Sequence, residues 1–251
     1  MSPLAVTKMH GTLNDFIVVD LRHQPALADA TGFARKWCDR RAGMGADGVL
    51  LIETSTSCSA RMRVINADGS EAEMCGNGIR CVVRFMHERG EGDAFTIETL
   101  AGPIATSIVS NDPLLVREEM GTPQMPGHAI DLEDADFVSL GNPHAVAFTQ
   151  DIRAFDLLAA GLRLRDMNVH AVKVQNESTL IVLHHERGVG FTQACGTGAV
   201  ASAAAAIARG LVKSPVTVRV PGGDLLVEWD GTGHAFLTGP AERVFDATVD
   251  P

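Results

Sequence analysis

The sequence predicts an α+β protein of two pseudo-symmetric lobes, each a mostly antiparallel or mixed sheet curled around a central helix. Three observations predict this fold: short apolar or alternating segments joined by tight turns, a cysteine motif repeated before two helices, and one helix that is apolar on every side. Turns such as 221–223 are too short for the crossover that parallel neighbours need. Antiparallel pairs should therefore be common.

Short segments with the composition and period of strands recur along the chain. They cover residues 15–20, 48–53, 61–66, 95–100, 104–109, 114–118, 145–149, 169–174, 179–183, 216–220, 225–229 and 235–238. Helical patterns are fewer, and they cover about 32–40, 78–89, 153–161 and 198–209. Strands should therefore outnumber helices.

Two of the predicted helices follow the same motif, Cys-Gly-x-Gly, at residues 75–78 and 195–198. Each of these helices meets a glycine, Gly90 or Gly210, 15 residues after its cysteine. A strand and a polar turn precede both motifs. A repeat of this kind indicates two homologous halves.

We therefore expect an N-terminal lobe over residues 1–114, carrying Cys75, and a C-terminal lobe over residues 115–240, carrying Cys195. A strand at about 241–251 is expected to return to the first lobe. The alanine-rich segment 198–209 is small and apolar all round, which is typical of a helix enclosed by a sheet. It should be the central helix of its lobe.

Composition excludes several function classes. With 21 basic and 31 acidic residues the net charge is −10, so we expect no nucleic acid partner. The most apolar run, 199–208, is about half the ~20 residues of a membrane span, and the first twenty residues carry charges at Lys8, Asp15 and Asp20. We therefore expect no membrane partner and a cytoplasmic location.

The cysteines indicate chemistry at two positions. The five cysteines are scattered without Cys-x-x-Cys spacing, which favours reduced thiols over a disulfide framework or a zinc site. Cys75 and Cys195 each precede a helix, where free N–H groups and the helix dipole are expected to lower the thiol pKa. If both thiols flank one carbon, one as base and one as acid, they would invert a stereocentre.

Five motifs, in this order, resemble those of diaminopimelate epimerases: Met9–Phe16, Asn66–Cys81, Gly141–His144, Glu186–Gly188 and Ala194–Gly198. The resemblance implies two similar lobes with the active site between them. It implies an isomerase that interconverts LL- and meso-diaminopimelate, on the route to lysine and cell-wall peptide. It also implies no pyridoxal phosphate or other cofactor, no metal, and a homodimer.

The resemblance also implies roles for individual residues. The acid/base pair would be Cys75 and Cys195. Polar contacts to the substrate would come from Asn14, Asn66, Asn142, Asn168, Glu186 and Arg187. The backbone around the substrate would come from Gly76, Asn77, Gly196 and Thr197. The proton affinity of the thiols would be adjusted by His144 and Glu186.

The sequence departs from the family pattern in three places. Thr12-Leu13 replaces the usual small or apolar residue followed by glycine, Gly48 stands where some members carry glutamine, and His170 stands where many carry glutamate. Other hypotheses therefore stay open: a two-cysteine racemase of another amino acid such as histidine, or a non-catalytic amino-acid-binding or thiol redox protein. A metal at His184 and His185 is disfavoured, since neighbours on a strand point to opposite faces.

Overall fold

A computed structural model describes residues 3–125 and 131–250. Residues 126–130 of the predicted C-terminal lobe, residues 1–2, and residue 251 at the end of the predicted last strand lie outside the described residues. The helices of the described part are α1 (Ala30–Trp37), α2 (Gly76–His87), α3 (Leu157–Arg163) and α4 (Gly196–Ala208). Its strands are β1 (Leu4–Gly11), β2 (Asn14–Asp20), β3 (Gly48–Glu53), β4 (Ala60–Asn66), β5 (Glu71–Ala72), β6 (Ala94–Thr99), β7 (Gly102–Asn111), β8 (Leu114–Glu119), β9 (Ala135–Ser139), β10 (Pro143–Phe148), β11 (Asn168–Asn176), β12 (Thr179–Glu186), β13 (Gly190–Thr192), β14 (Val216–Val220), β15 (Gly223–Glu228), β16 (Phe236–Pro240) and β17 (Glu242–Val249).

The chain divides into two compact units, Met1–Glu118 with Pro240–Pro251, and Glu119–Gly239. In the first unit the parallel pairs are β2–β3 and β4–β6, and the antiparallel pairs are β17–β1, β1–β2, β3–β4, β4–β5, β6–β7 and β7–β8. In the second unit the parallel pairs are β10–β11 and β12–β14, and the antiparallel pairs are β9–β10, β11–β12, β12–β13, β14–β15 and β15–β16. Strand for strand, the second unit repeats the pairing of β1–β8.

In the first unit, one sheet is covered on both faces because its strands alternate between two apolar cores. Leu50 and Ile52 of β3 pack in one core with Ile79 of α2, whereas Val49 packs in the other with Phe33 of α1. Successive side chains of a strand point to opposite faces. A continuous apolar run such as Val49–Ile52 is therefore buried on both sides.

In the second unit, α4 is enclosed by strands. Residues 198–206 of this helix are all buried, and α4 contacts β9, β10, β11, β12, β14 and β15. Small alanine side chains let several strands approach the helix closely, and they leave no polar side for water. The shorter helix α3 packs against β11 and β12, with Leu157 and Ala160 in a separate apolar cluster.

The predicted α+β fold of two similar halves, with sheets around central helices, is confirmed. Each of the four helices begins two to four residues away from its predicted start. The first helix begins at Ala30 because the Asp29 side chain accepts from Gly32 N at 2.8 Å. The third begins at Leu157 because Asp156 accepts from Ala159 N at 2.9 Å.

The sequence patterns missed some strands altogether. The first of these, β1, contains Thr7, Lys8 and His10, so it shows no apolar alternation, although Thr7 and Lys8 are buried. The pairing strands β5 and β13 are only two and three residues long. Within 3–125 and 131–250, no helix has the length and apolar character needed to cross a membrane.

Candidate functional site

In the first unit, Cys75 is the residue immediately before α2. Its φ of −147° and ψ of 110° are extended, and its side chain does not cap the helix. The thiol instead donates to Asn14 Oδ1 at 3.7 Å. The sulfur is thus held beside the first turn of a helix, where backbone N–H groups lack partners within the helix.

An amide network around Cys75 links the ends of three elements. Asn77, in the first turn of α2, donates from Nδ2 to Asn14 Oδ1 at 3.1 Å. Asn14, at the start of β2, donates in turn from Nδ2 to Asp47 Oδ2 at 2.7 Å. These bonds fix which side of the Asn14 amide faces the thiol. The structure therefore brings Asn14, Cys75 and Asn77 together.

A buried ion pair between Arg80 and Glu118 contacts this network at Asn77. Arg80 Nη1 lies 2.7 Å from Glu118 Oε1, with both side chains fully buried. Arg80 Nη2 also donates to Asn77 Oδ1 at 2.6 Å, so it orients the Asn77 amide. A Cβ on Gly76 would lie 3.0 Å from Glu118 Oε1, so the helix start lies close against the pair. The sequence reading missed Arg80 and Glu118, which are 38 residues apart.

Asn66 occupies a separate turn at the end of β4. Its Nδ2 donates to Ser70 Oγ at 2.9 Å, and its backbone N–H donates to Ser70 O at 2.8 Å. The amide of this predicted substrate contact is thus used within its own turn. Gly48 of β3 lies directly opposite Asn66, because the two residues pair in the antiparallel β3–β4 ladder.

In the second unit, Cys195 has the equivalent place before α4. Its φ of −130° and ψ of 111° are again extended, and its side chain does not cap the helix. Its Sγ lies 3.6 Å from Thr197 Oγ1, which accepts from Asn142 Nδ2 at 3.3 Å. Gly196 and Thr197 form the start of the helix. The structure therefore groups Asn142, Cys195 and Thr197.

The thiol of Cys195 is strongly perturbed. Burial raises its pKa well above the usual value, and the negative charge of Glu186, within hydrogen-bonding reach, raises it further. The Thr197 hydroxyl and the Gly198 N–H act in the opposite direction. The predicted lowering of this thiol pKa was wrong, because desolvation outweighs the helix N-terminus. In the free protein Cys195 is therefore a thiol near neutral pH.

The loop after β12 is held by Asn168. Its Nδ2 donates to Pro143 O at 3.3 Å, and its Oδ1 accepts from the Arg187 N–H at 3.0 Å. The Arg187 side chain is exposed and forms no ion pair with any residue of the described ranges. A cation without an acidic partner is available to a carboxylate ligand.

His144 lies buried between two polar neighbours, Asn142 Oδ1 at 2.9 Å from Nε2 and His170 Nε2 at 2.8 Å from Nδ1. Burial and the neighbouring His184 lower the pKa of His144 to about 3. His144 is therefore linked through Asn142 to Thr197, which lies beside Cys195. The sequence reading missed His170 and His184 as parts of this arrangement.

No group of three or more His, Cys, Asp or Glu side chains among the described residues has the arrangement of a metal site. His184 and His185 do face opposite sides of β12: His184 contacts His170, and His185 meets Phe191 edge to face, with ring centroids 5.6 Å apart.

Known proteins are similar to this chain over nearly its whole length. The family model described as diaminopimelate epimerase matches residues 6–126 and 137–244. The chain is 40% identical to the diaminopimelate epimerase of Halothermothrix orenii, covering 98% of both chains, and 40% identical to that of Sphingopyxis alaskensis, covering 97% of this chain and 96% of the relative.

Solved structures with little sequence similarity share the fold. A Bacillus anthracis phenazine biosynthesis protein of the PhzF family has a TM-score of 0.78 at 17% identity, with all of both chains covered. A probable proline racemase from Agrobacterium radiobacter has a TM-score of 0.72 at 16% identity, covering 98% of this chain and 93% of the other. From the family model and the relatives at 40% identity, this chain belongs to the diaminopimelate epimerase family.

Proposed function

We propose that this protein is an isomerase that interconverts LL- and meso-diaminopimelate, with Cys75 and Cys195 as its acid/base pair. The observation that carries the proposal is the equivalence of the two cysteines, each in extended conformation immediately before a helix in a strand pattern that occurs twice. The names of the relatives at 40% identity support the substrate.

The proposed reaction moves two protons. The thiolate of one cysteine takes the proton from the α-carbon and becomes a thiol, leaving the electron pair on that carbon. The thiol of the other cysteine then gives its proton to the opposite face and becomes a thiolate. The carbon is inverted with no net change in atoms, and the two cysteines exchange roles for the reverse reaction.

The environment of Cys195 supports its role as the acid of the resting protein. Burial and the charge of Glu186 both favour its protonated form. When Cys195 acts as base, the Thr197 hydroxyl and the Gly198 N–H are the groups that stabilise its thiolate. Glu186 and His144 would adjust the proton affinity of this cysteine, Glu186 directly and His144 through Asn142.

The substrate would be held by amides, charges and backbone N–H groups. Arg187, exposed and without an acidic partner among the described residues, suits a substrate carboxylate, and Glu186 suits an ammonium group. The backbone N–H groups at the two helix starts suit a carboxylate next to the reacting carbon. The proposed contacts are Asn14, Asn66, Gly76, Asn77, Asn142, Asn168, Glu186, Arg187, Gly196 and Thr197.

We further propose that the enzyme works in lysine and peptidoglycan-precursor biosynthesis, in the cytoplasm and as a homodimer. The five cysteines lack the spacing of a disulfide framework, which favours a reducing compartment. The exposed side chains of Val244 and Phe245 on β17 supply apolar surface for association.

The experiment is a substrate panel in heavy water, with deuterium at the α-carbon and inversion of the centre measured together. We expect exchange and inversion with diaminopimelate, and a loss of roughly 10²-fold or more in Cys75→Ala and Cys195→Ala. Cys58→Ala, at another cysteine of the first unit, is the control and should retain activity.

Lysine tests the distal contacts. It lacks the second carboxylate, so it would leave Arg187 unpaired, and we expect kcat/KM at least about a thousandfold lower than for diaminopimelate. A preference for histidine would instead identify a histidine racemase. Binding without any α-proton exchange would identify a binding or redox protein.

A further inference from the structure

Three buried histidines on neighbouring strands of the second unit form a hydrogen-bonded series. His144 of β10, His170 of β11 and His184 of β12 are each no more than 1% exposed. His144 Nδ1 lies 2.8 Å from His170 Nε2, and His170 Nδ1 lies 2.8 Å from His184 Nδ1. Because the rings meet nitrogen to nitrogen, each contact needs one N–H and one lone pair.

All three rings are neutral. Burial lowers the pKa of His144 and of His184 to about 3 and that of His170 well below its usual value. The electrostatic influences on them come from one another, and no carboxylate contributes. A neutral imidazole carries one N–H and one lone pair. The series therefore has only two consistent arrangements, in which every N–H points one way or every N–H points the other.

The end of the series at His184 selects between these arrangements. His184 Nε2 is buried and has no hydrogen-bond partner in the described part of the chain. If the N–H groups pointed toward His184, this nitrogen would carry an unpaired N–H, and buried N–H groups without partners are rarer than buried acceptors without them. The favoured arrangement leaves a lone pair there. His184 then donates from Nδ1, and His170 and His144 donate from Nε2.

The direction of the N–H groups in the series determines the hydrogen bonds at Cys195. His144 Nε2 donates to Asn142 Oδ1 at 2.9 Å, so the Asn142 amide presents Nδ2 to Thr197 Oγ1 at 3.3 Å. An oxygen that accepts from Asn142 has its own hydrogen left to donate. The nearby acceptor is Cys195 Sγ, 3.6 Å away. In the reverse arrangement the Asn142 amide turns over and draws the Thr197 hydrogen away from the sulfur.

We propose that His170 and His184 are positioning residues for Cys195: the buried end of the series at His184 sets the tautomers of His170 and His144, and these keep the Thr197 hydroxyl hydrogen directed at the cysteine sulfur. His170 is also in close contact with the helix itself, because a Cβ on Gly198 would lie 2.4 Å from His170 Cε1. The catalytic meaning of this arrangement rests on the proposed role of Cys195, whereas the arrangement itself does not.

The first test reads the tautomers directly. Long-range ¹H–¹⁵N correlation of imidazole nitrogens in the folded wild-type protein at pH 7–8 should show Nε2–H for His144 and His170, Nδ1–H for His184, and no imidazolium. Nδ1–H at His144, Nε2–H at His184 or a charged ring would overturn the proposal. This result is independent of enzymatic activity.

The second test reverses the series with a pair of similar variants. In His184→Asn the side-chain N–H still donates to His170, so the tautomers should be retained. In His184→Asp a carboxylate accepts from His170 Nδ1, so His170 and His144 should switch to Nδ1–H. His185→Asp adds the same charge on the opposite face of β12 and should leave the His144 tautomer unchanged.

The readout at the sulfur is the rate at which iodoacetamide modifies Cys195, followed by mass spectrometry of its peptide at fixed pH. Loss of the Thr197 donor should lower this rate about tenfold in His184→Asp relative to His184→Asn, as expected for one hydrogen bond to a thiolate. The kcat for diaminopimelate should fall similarly with little change in KM.

Equal rates in the two variants, or unchanged tautomers in His184→Asp, would overturn the coupling. A wild-type protein with the expected tautomers but without α-proton exchange would overturn the proposed function instead.

Discussion

Cys75 and Cys195 have the same backbone conformation at the starts of α2 and α4, with φ/ψ of −147°/110° and −130°/111°, but their thiols have different neighbours. Cys75 donates to a carbonyl oxygen of Asn14. Cys195 lies beside a hydroxyl, a backbone N–H and the carboxylate of Glu186. The duplicated strand pattern thus presents two similar thiols in two different electrostatic surroundings.

The charge of Glu186 is expected to slow the alkylation of Cys195. Its negative charge raises the pKa of that thiol, so Glu186→Gln should lower the pKa and increase the thiolate fraction at a given pH. Alkylation of Cys195 at pH 8 should therefore be faster in the variant, by about tenfold for each pH unit by which the pKa of the thiol falls. Glu177→Gln, an exposed carboxylate in the same unit, serves as control. A slower reaction in Glu186→Gln would contradict this account.

The buried pair of Arg80 and Glu118 should be important for stability. Glu118→Ala leaves a fully buried guanidinium without its carboxylate, which costs about 3–5 kcal/mol of unfolding free energy. Chemical denaturation measures this loss. Glu177→Ala removes one partner of an ion pair in which both side chains are 83% exposed, and it should change little.

A double variant separates charge from packing at this site. Arg80→Met with Glu118→Leu removes both charges at once and should recover much of the stability lost in Glu118→Ala. It should not restore activity, because Asn77 then loses the Arg80 hydrogen bond that orients its amide. Stability equal to that of Glu118→Ala would show that packing, rather than the unpaired charge, is responsible.

The turn between β1 and β2 carries backbone strain. Thr12 and Leu13 have φ of 49° and 64°, a region that side chains with a Cβ disfavour. Leu13 is 52% exposed, so Leu13→Gly loses little packing and should raise the unfolding free energy by up to about 1 kcal/mol. Leu100→Gly, at a similarly exposed leucine that is not among the positive-φ residues, should be destabilising. Destabilisation by Leu13→Gly would argue against strain.

The buried histidines predict how stability depends on pH. The pKa of His144 and of His184 is about 3 in the folded protein, below the value near 6.5 of an unfolded chain. The unfolded state therefore binds more protons between pH 6.5 and 3, so stability is complete above pH 6.5 and falls as pH drops through this range. His184→Asn should take up one proton fewer on unfolding. Denaturation at pH 5, 6 and 7 measures the slope, and equal slopes in wild type and variant would contradict the assignment.

Much of the fold could be predicted because it depends on local patterns. The strands 48–53 and 179–183, the turns between strands and the two helices after Cys-Gly-x-Gly were all visible in the sequence and are present. The strand β1 was not predicted. Its Lys8 is buried because it pairs with Asp15 of β2, and a charged residue at a buried position breaks the apolar pattern by which a strand is recognised. The residues predicted for the site remain predictions, although Asn14, Cys75 and Asn77, and likewise Asn142, Cys195 and Thr197, are hydrogen-bonded groups.

The sequence by itself determined the α+β class, the duplication, and the placement of a cysteine before each central helix, because these follow from short-range periodicity and repeated motifs. Only the tertiary structure decided the ionisation of Cys195 and the state of His170 and His184. Those properties depend on burial and on partners far along the chain, such as His144 and His170, 26 residues apart. Strand pairing creates that environment, and desolvation in it outweighs the effect of a helix N-terminus on the thiol.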